Sequence, residues 1–148
     1  MPRSRIPIST KPETQKAFLV GADLRRFVYK NDSMRLPLQS SMEELDLLCK
    51  TAGLEVVGQM TQVLDTPNPN TFIGPGQVEE LVTWRDALHF DVVVFDDELS
   101  PRHQRELEEL LGPKVTLIDR TALILDIFAQ HASTREGALQ VELAQYEY

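Results

Sequence analysis

The sequence predicts an α/β fold, a small parallel sheet of about four strands with flanking helices, followed by the start of a C-terminal helix. Short apolar runs recur between segments whose apolar residues have helical spacing. One run, Asp91-Val92-Val93-Val94-Phe95-Asp96, is filled with β-branched and aromatic residues, as suits a strand buried on both faces. The stretches between runs are long enough for a helix, and a strand reaches a parallel neighbour only by crossing over a face of the sheet.

Residues 1–15, rich in Pro, Ser, Lys and Arg, read as a flexible arm. Ala17-Phe18-Leu19-Val20, closed by Gly21, is the first strand, and residues 32–38 are a loop. Ser40-Ser41-Met42-Glu43-Glu44 has the serine-to-glutamate spacing of a capping box. It is expected to open a helix over Leu45, Leu48 and Ala52 that stops at a left-handed Gly53. Residues 55–63 form the second strand, and a turn-rich segment, 65–70, follows it. Asn70-Thr71-Phe72-Ile73-Gly74-Pro75-Gly76 then leads into a helix with Val78, Leu81, Val82 and Leu88 at helical spacing. After the strand at 91–96, Ser100-Pro101 supplies an N-cap with proline at the first helical position, and Leu107, Leu110, Leu111 and Gly112 complete the helix. Val115-Thr116-Leu117-Ile118-Asp119 is the fourth strand, and the apolar residues of 121–132 predict a helix packed on the sheet. Ser133-Thr134-Arg135-Glu136 repeats the capping-box spacing before a last segment, 137–148. There Leu139, Leu143 and Tyr146 fit a helical face, while Leu139, Val141 and Leu143 also alternate as in a strand; abundant Ala, Leu, Gln and Glu favour helix.

At 148 residues and 42% hydrophobic content the chain suits one ordinary domain with appendages. Its single cysteine, Cys49, has no internal partner and falls in the apolar pattern of a helix, so it reads as a small core residue in a reducing, cytoplasmic setting. No apolar run approaches the ~20 residues of a membrane span. The net charge of −8 is uneven: residues 1–35 carry +5, residues 36–119 carry −11 and residues 120–148 carry −2. An acidic body argues against nonspecific nucleic-acid binding, so RNA contact requires local patches.

Gly74 and Gly76, beside a helix start, raise the possibility of a phosphate site. A P-loop, however, places lysine and a hydroxyl where Gln77-Val78-Glu79-Glu80 stands, and the two carboxylates, expected in the first turn, would repel a triphosphate. Asp96, Asp97 and Asp119, with Asp23, fall near strand ends, where carboxylates and waters can hold magnesium and where ligands bind in open parallel sheets. The plainer reading is that these acids end strands and complement helix starts. The alternative they leave open is a nucleotide- or magnesium-binding enzyme domain using the Gly74–Gly76 loop and the strand-end aspartates. His89, His103 and His131 lack zinc-ligand spacing. Arg102, His103, Arg105, Arg120, His131 and Arg135 form a scattered basic set interleaved with acids; Arg120 and Arg135 fall at corners where an arginine forks onto phosphate or forms a structural ion pair.

Several motifs then point one way: Thr71-Phe72-Ile73-Gly74-Pro75-Gly76-Gln77-Val78-Glu79-Glu80-Leu81, Phe95-Asp96-Asp97-Glu98-Leu99-Ser100-Pro101, Asp119-Arg120-Thr121-Ala122-Leu123-Ile124-Leu125-Asp126-Ile127-Phe128-Ala129-Gln130 and Thr134-Arg135-Glu136-Gly137-Ala138-Leu139-Gln140-Val141-Glu142-Leu143-Ala144-Gln145. Over residues 16–148 the chain closely resembles the N-terminal domain of the HflX family of ribosome-associated GTPases. The resemblance implies an α/β domain over 16–132, the beginning of a helical subdomain over 133–148, cut short in its first long helix, and a separate GTP-binding domain. That domain is expected to lie outside this chain, which carries no P-loop and no N-K-x-D motif. GTP and magnesium are implied for the full-length family member and no cofactor for this chain.

The resemblance further implies a module that binds the large ribosomal subunit and its rRNA, in a factor that separates or rescues stalled ribosomes under stress. Gly74, Gly76, Arg102, His103, Arg120, His131 and Arg135 are then the candidate RNA-facing residues. Pro75 and His131 depart from the family's pattern, which weakens the cationic character expected around them. Some relatives are also said to bind ATP through this part, and the missing GTPase domain is an expected partner.

Overall fold

The structure, a computed structural model, describes residues 14–24 and 37–132. Its elements are β1 (Lys16–Leu24), α1 (Leu38–Thr51), β2 (Glu55–Leu64), α2 (Pro75–Leu88), β3 (Val92–Phe95), α3 (Pro101–Leu111), β4 (Thr116–Asp119) and α4 (Arg120–Ala132). All pairings are parallel, and the strand order is β2-β1-β3-β4. The α/β fold with a four-stranded parallel sheet is thus as the sequence predicts, whereas the arm and the segment 133–148 lie outside the described residues.

Alternation along β1 explains why both faces of the sheet are covered. Phe18, Val20, Ala22 and Leu24 point to one side, where Val78 and Leu81 of α2 and Leu107 and Leu111 of α3 close over them. Ala17 and Leu19 point to the other, under Met42, Leu45 and Cys49 of α1 and Leu123 of α4. A strand sealed on both sides must be apolar at every position, which is why β1 and β3 read as continuous runs. Phe18 stacks on Phe90 at 5.0 Å and reaches Trp84 at 6.1 Å. Gly58 of β2 makes room for this ring: a Cβ there would stand 2.9 Å from Phe18 Cε1. Opposite Ala17 and Phe18 the β1–β2 register shifts, leaving Val57 as the extra residue of a bulge.

Two helix starts differ from expectation. The capping box expected at Ser40–Ser41 does not form; α1 begins earlier, with Pro37 as N-cap and no side-chain cap. Ser41 lies inside the helix and donates its hydroxyl to Asp96 Oδ2 at 2.6 Å instead. Helix α2 likewise begins at Pro75, so Glu79 and Glu80 fall beyond its first turn, where Glu80 accepts from Trp84 Nε1 at 3.2 Å. The punctuation at Gly53 (φ 88°) and at Ser100-Pro101 is found as expected.

Because the sheet order reverses between β1 and β3, the crevice beyond their carboxyl ends is the topological switch point of a doubly wound sheet. The ends of β3 and β4 and the start of α1 meet there.

Candidate functional site

Among the described residues, Arg120 holds the carboxyl edge together. Arg120, the first residue of α4, donates Nε and Nη2 to Asp96 Oδ1 at 3.1 and 2.6 Å, Nη2 to the Ser41 carbonyl and hydroxyl at 2.9 and 3.1 Å, and Nη1 to Glu44 at 3.2 Å. The fork that could have met a phosphate is turned inward onto the end of β3 and the first turns of α1. Asp119 is also committed. Its Oδ2 accepts from the Leu99 amide at 3.0 Å and its Oδ1 from the Ala122 amide at 3.0 Å, so it ties the loop before α3 to the start of α4. Among the described residues no three of His, Cys, Asp and Glu stand where they could hold a metal ion. The magnesium arrangement considered for Asp96, Asp97 and Asp119 is therefore not assembled: Asp96 faces a guanidinium and Asp119 faces backbone amides.

The glycine loop is bound into itself. Asn68 and Phe72 exchange backbone bonds at 3.0 and 2.9 Å, and Asn68 Oδ1 accepts from the amides of Asn70 and Thr71 at 2.9 and 3.1 Å. Phe72 is buried with φ 67°, a left-handed conformation uncommon outside glycine, asparagine and aspartate. The Gly74 amide donates to Gln62 Oε1 at 3.1 Å, Pro75 has no N–H, and the amides of Gln77 and Val78 turn back to the Gly74 carbonyl at 3.0 Å. A triphosphate cradle needs several helix-start amides aimed outward. Here the carbonyl of Gly74 and the side chain of Gln62 have taken three of them, those of Gly74, Gln77 and Val78, so the loop does not offer the set of amides that group needs.

His103 connects the loop to α3. Its Nδ1 accepts from the Ser100 amide at 3.3 Å, completing a capping box with Ser100 Oγ, and its Nε2 lies 3.1 Å from the Asn68 carbonyl. Sequence reasoning missed the parts of Gln62, Asn68 and Ser41, since each looks like an ordinary polar residue until the fold supplies its partner. The Asn68-Pro69-Asn70 turn was the available signal for Asn68.

Of the other candidates, Gly76, Arg102 and His131 are exposed, Gly74 is half-buried, and Arg135 lies outside the described residues. Exposed Gly76 lies within the longest uncharged stretch of the chain. Residues 66–78 contain no Asp, Glu, Lys or Arg, in a sequence that is 26% charged. A cavity of about 490 Å³ opens at the opposite, amino edge, between Arg85, His89 and Lys114. Arg85 is engaged there by the Leu111 carbonyl at 2.6 Å and by Asp86.

With this geometry in view, comparisons place the fold among N-terminal domains of GTP-binding GTPases, whose family model matches residues 39–129. A GTPase HflX of Flavobacterium psychrophilum is 41% identical over 134 residues, covering 90% of this chain and 30% of that protein. The GTPase HflX of Escherichia coli is 45% identical over 107 residues, covering 72% of this chain and 25% of that protein. A GTP-binding protein from the archaeon Sulfolobus solfataricus, solved with GDP, shares the fold at a TM-score of 0.60 and 22% identity, covering 91% of this chain and 37% of its own. The chain belongs to the HflX family of GTPases and carries the family's N-terminal domain. It spans between a quarter and a third of the length of the HflX relatives quoted above.

Proposed function

We propose that the chain is the ribosome-binding N-terminal domain of an HflX-like GTPase, a cytoplasmic factor that associates with the large ribosomal subunit and its rRNA to separate or rescue stalled ribosomes under stress. The observation that carries this reading is the 41% identity to a GTPase named HflX over 90% of the chain. GTP and magnesium belong, on this reading, to a GTP-binding domain outside the sequence, since the chain has no P-loop; that domain is also its partner within one polypeptide. Division of the chain into an arm over 1–15, a domain over 16–132 and the beginning of a helical subdomain over 133–148 is part of the same proposal.

The fold supports a division of labour among the RNA-facing candidates. Gly76 and Arg102 stand outward at the starts of α2 and α3, while His103 ties the start of α3 to the loop before α2 and Arg120 holds the start of α4 against α1 and the end of β3. An acidic body approaches a polyanion best through its uncharged loop, residues 66–78, with exposed Arg102 as a nearby cation.

Co-sedimentation with isolated large subunits at moderate salt tests the reading, using a longer protein that includes the long helices and the GTPase domain. Pelleting is expected, and Arg102→Glu should weaken it. Failure of the longer protein to pellet would overturn the proposal.

A further inference from the structure

We propose that His103 is a positioning residue that sets the shape of the loop 68–76, acting as a latch between that loop and α3. This rests on the reading of the loop as the RNA-facing element, although the latch itself is a property of this chain alone.

The partners define the state of the ring. A backbone N–H points at Nδ1 and a carbonyl at Nε2, so Nδ1 must accept and Nε2–H must donate, which is the neutral Nε2–H tautomer. The carbonyl it reaches, that of Asn68, also accepts from the Phe72 amide at 2.9 Å. One oxygen thus joins the helix to the narrow end of the turn.

Phe72 shows why such a tie is needed. A buried aromatic residue with φ 67° sits in a sparsely populated conformation and persists only where its surroundings over-determine it. The surroundings are the edge of the His103 ring, with centroids 5.4 Å apart at 74°, and Phe95 at 6.3 Å and 83°. The turn carries no charged side chain; its exposed tip, Pro69 and Asn70, is shaped by the Asn68 side chain on the amides of Asn70 and Thr71, and the His103 contact fixes where that turn sits against α3.

Two substitutions separate the latch from a simple helix cap. In His103→Asn the side-chain oxygen takes the place of Nδ1 and keeps the bond from the Ser100 amide, but no atom reaches the Asn68 carbonyl. His103→Ala loses both. Amide hydrogen exchange of this chain is expected to show the Asn68 and Phe72 amides exchanging at least tenfold faster in both variants. The α3 amide of Gln104 should stay at the wild-type rate in His103→Asn and quicken only in His103→Ala.

Exchange at Asn68 and Phe72 within twofold of wild type in His103→Asn would overturn the proposal and leave His103 as a cap. Pelleting of the longer protein with large subunits is read separately. Faster exchange with unchanged pelleting keeps the latch and removes the loop from the RNA contact.

Discussion

Replacing Arg120 with methionine removes every bond that joins the start of α4 to Asp96, Ser41 and Glu44 while keeping the aliphatic stem. The Asp96 side chain is 8% exposed, that of Arg120 23% and that of Glu44 56%. The Glu44 arm, lying in solvent, contributes about 0–1 kcal/mol. Loss of the guanidinium leaves the Asp96 carboxylate with the Ser41 hydroxyl as its remaining partner in this cluster. Breaking a fully buried pair from one side costs about 3–5 kcal/mol. Partial access of water to Arg120 lowers this, so the expected loss is about 2–3 kcal/mol, or a fall in Tm on the order of 10 °C for a domain of this size.

Urea unfolding followed by circular dichroism measures that loss, and a double-mutant cycle with Asp96→Asn isolates the pair. The double variant should be more stable than the sum of the single losses implies, by about 1–2 kcal/mol. A change below about 0.5 kcal/mol in Arg120→Met, or strict additivity in the cycle, would rule out a stabilising Arg120–Asp96 pair and return Arg120 to the set of solvent-facing cations.

Burial, and then Asp46, pushes the Cys49 thiol up from 9.0 to about 11. The folded state therefore favours the neutral thiol. Its contribution is intact below pH 9 and is lost as pH rises toward 11, so between those values wild-type stability should fall more steeply than that of Cys49→Ala, by up to about 2–3 kcal/mol in chemical unfolding. Gly58→Ala places a methyl 2.9 Å from a buried ring and should cost about 1–3 kcal/mol in thermal unfolding, with compensation on trimming Phe18 to Leu. Asp119→Ala leaves the Leu99 and Ala122 amides without their acceptor and should lower stability by about 1–3 kcal/mol in urea; Asp119→Asn should retain part of it.

The α/β class, the approximate positions of the four strands and the stops and starts written in glycine and proline can all be read along the chain. These are local properties: the apolar run of β3, the left-handed Gly53 and the Ser100-Pro101 cap each follow from a few neighbouring residues. The family was legible for the same reason, since its motifs are contiguous.

Where the polar side chains point depends on contacts between distant parts of the chain. Ser41 looks like a cap beside its own neighbours, yet it donates to Asp96, 55 positions later. Arg120 looks like a free fork until the reversal of strand order between β1 and β3 brings Asp96 and α1 against it. Gly74 and Gly76 resemble a phosphate cradle until Gln62, on the preceding strand, takes the Gly74 amide. A hydrogen bond depends on distance and angle to a partner, and for groups far apart in sequence those are fixed by the order of strands and the packing of helices across them.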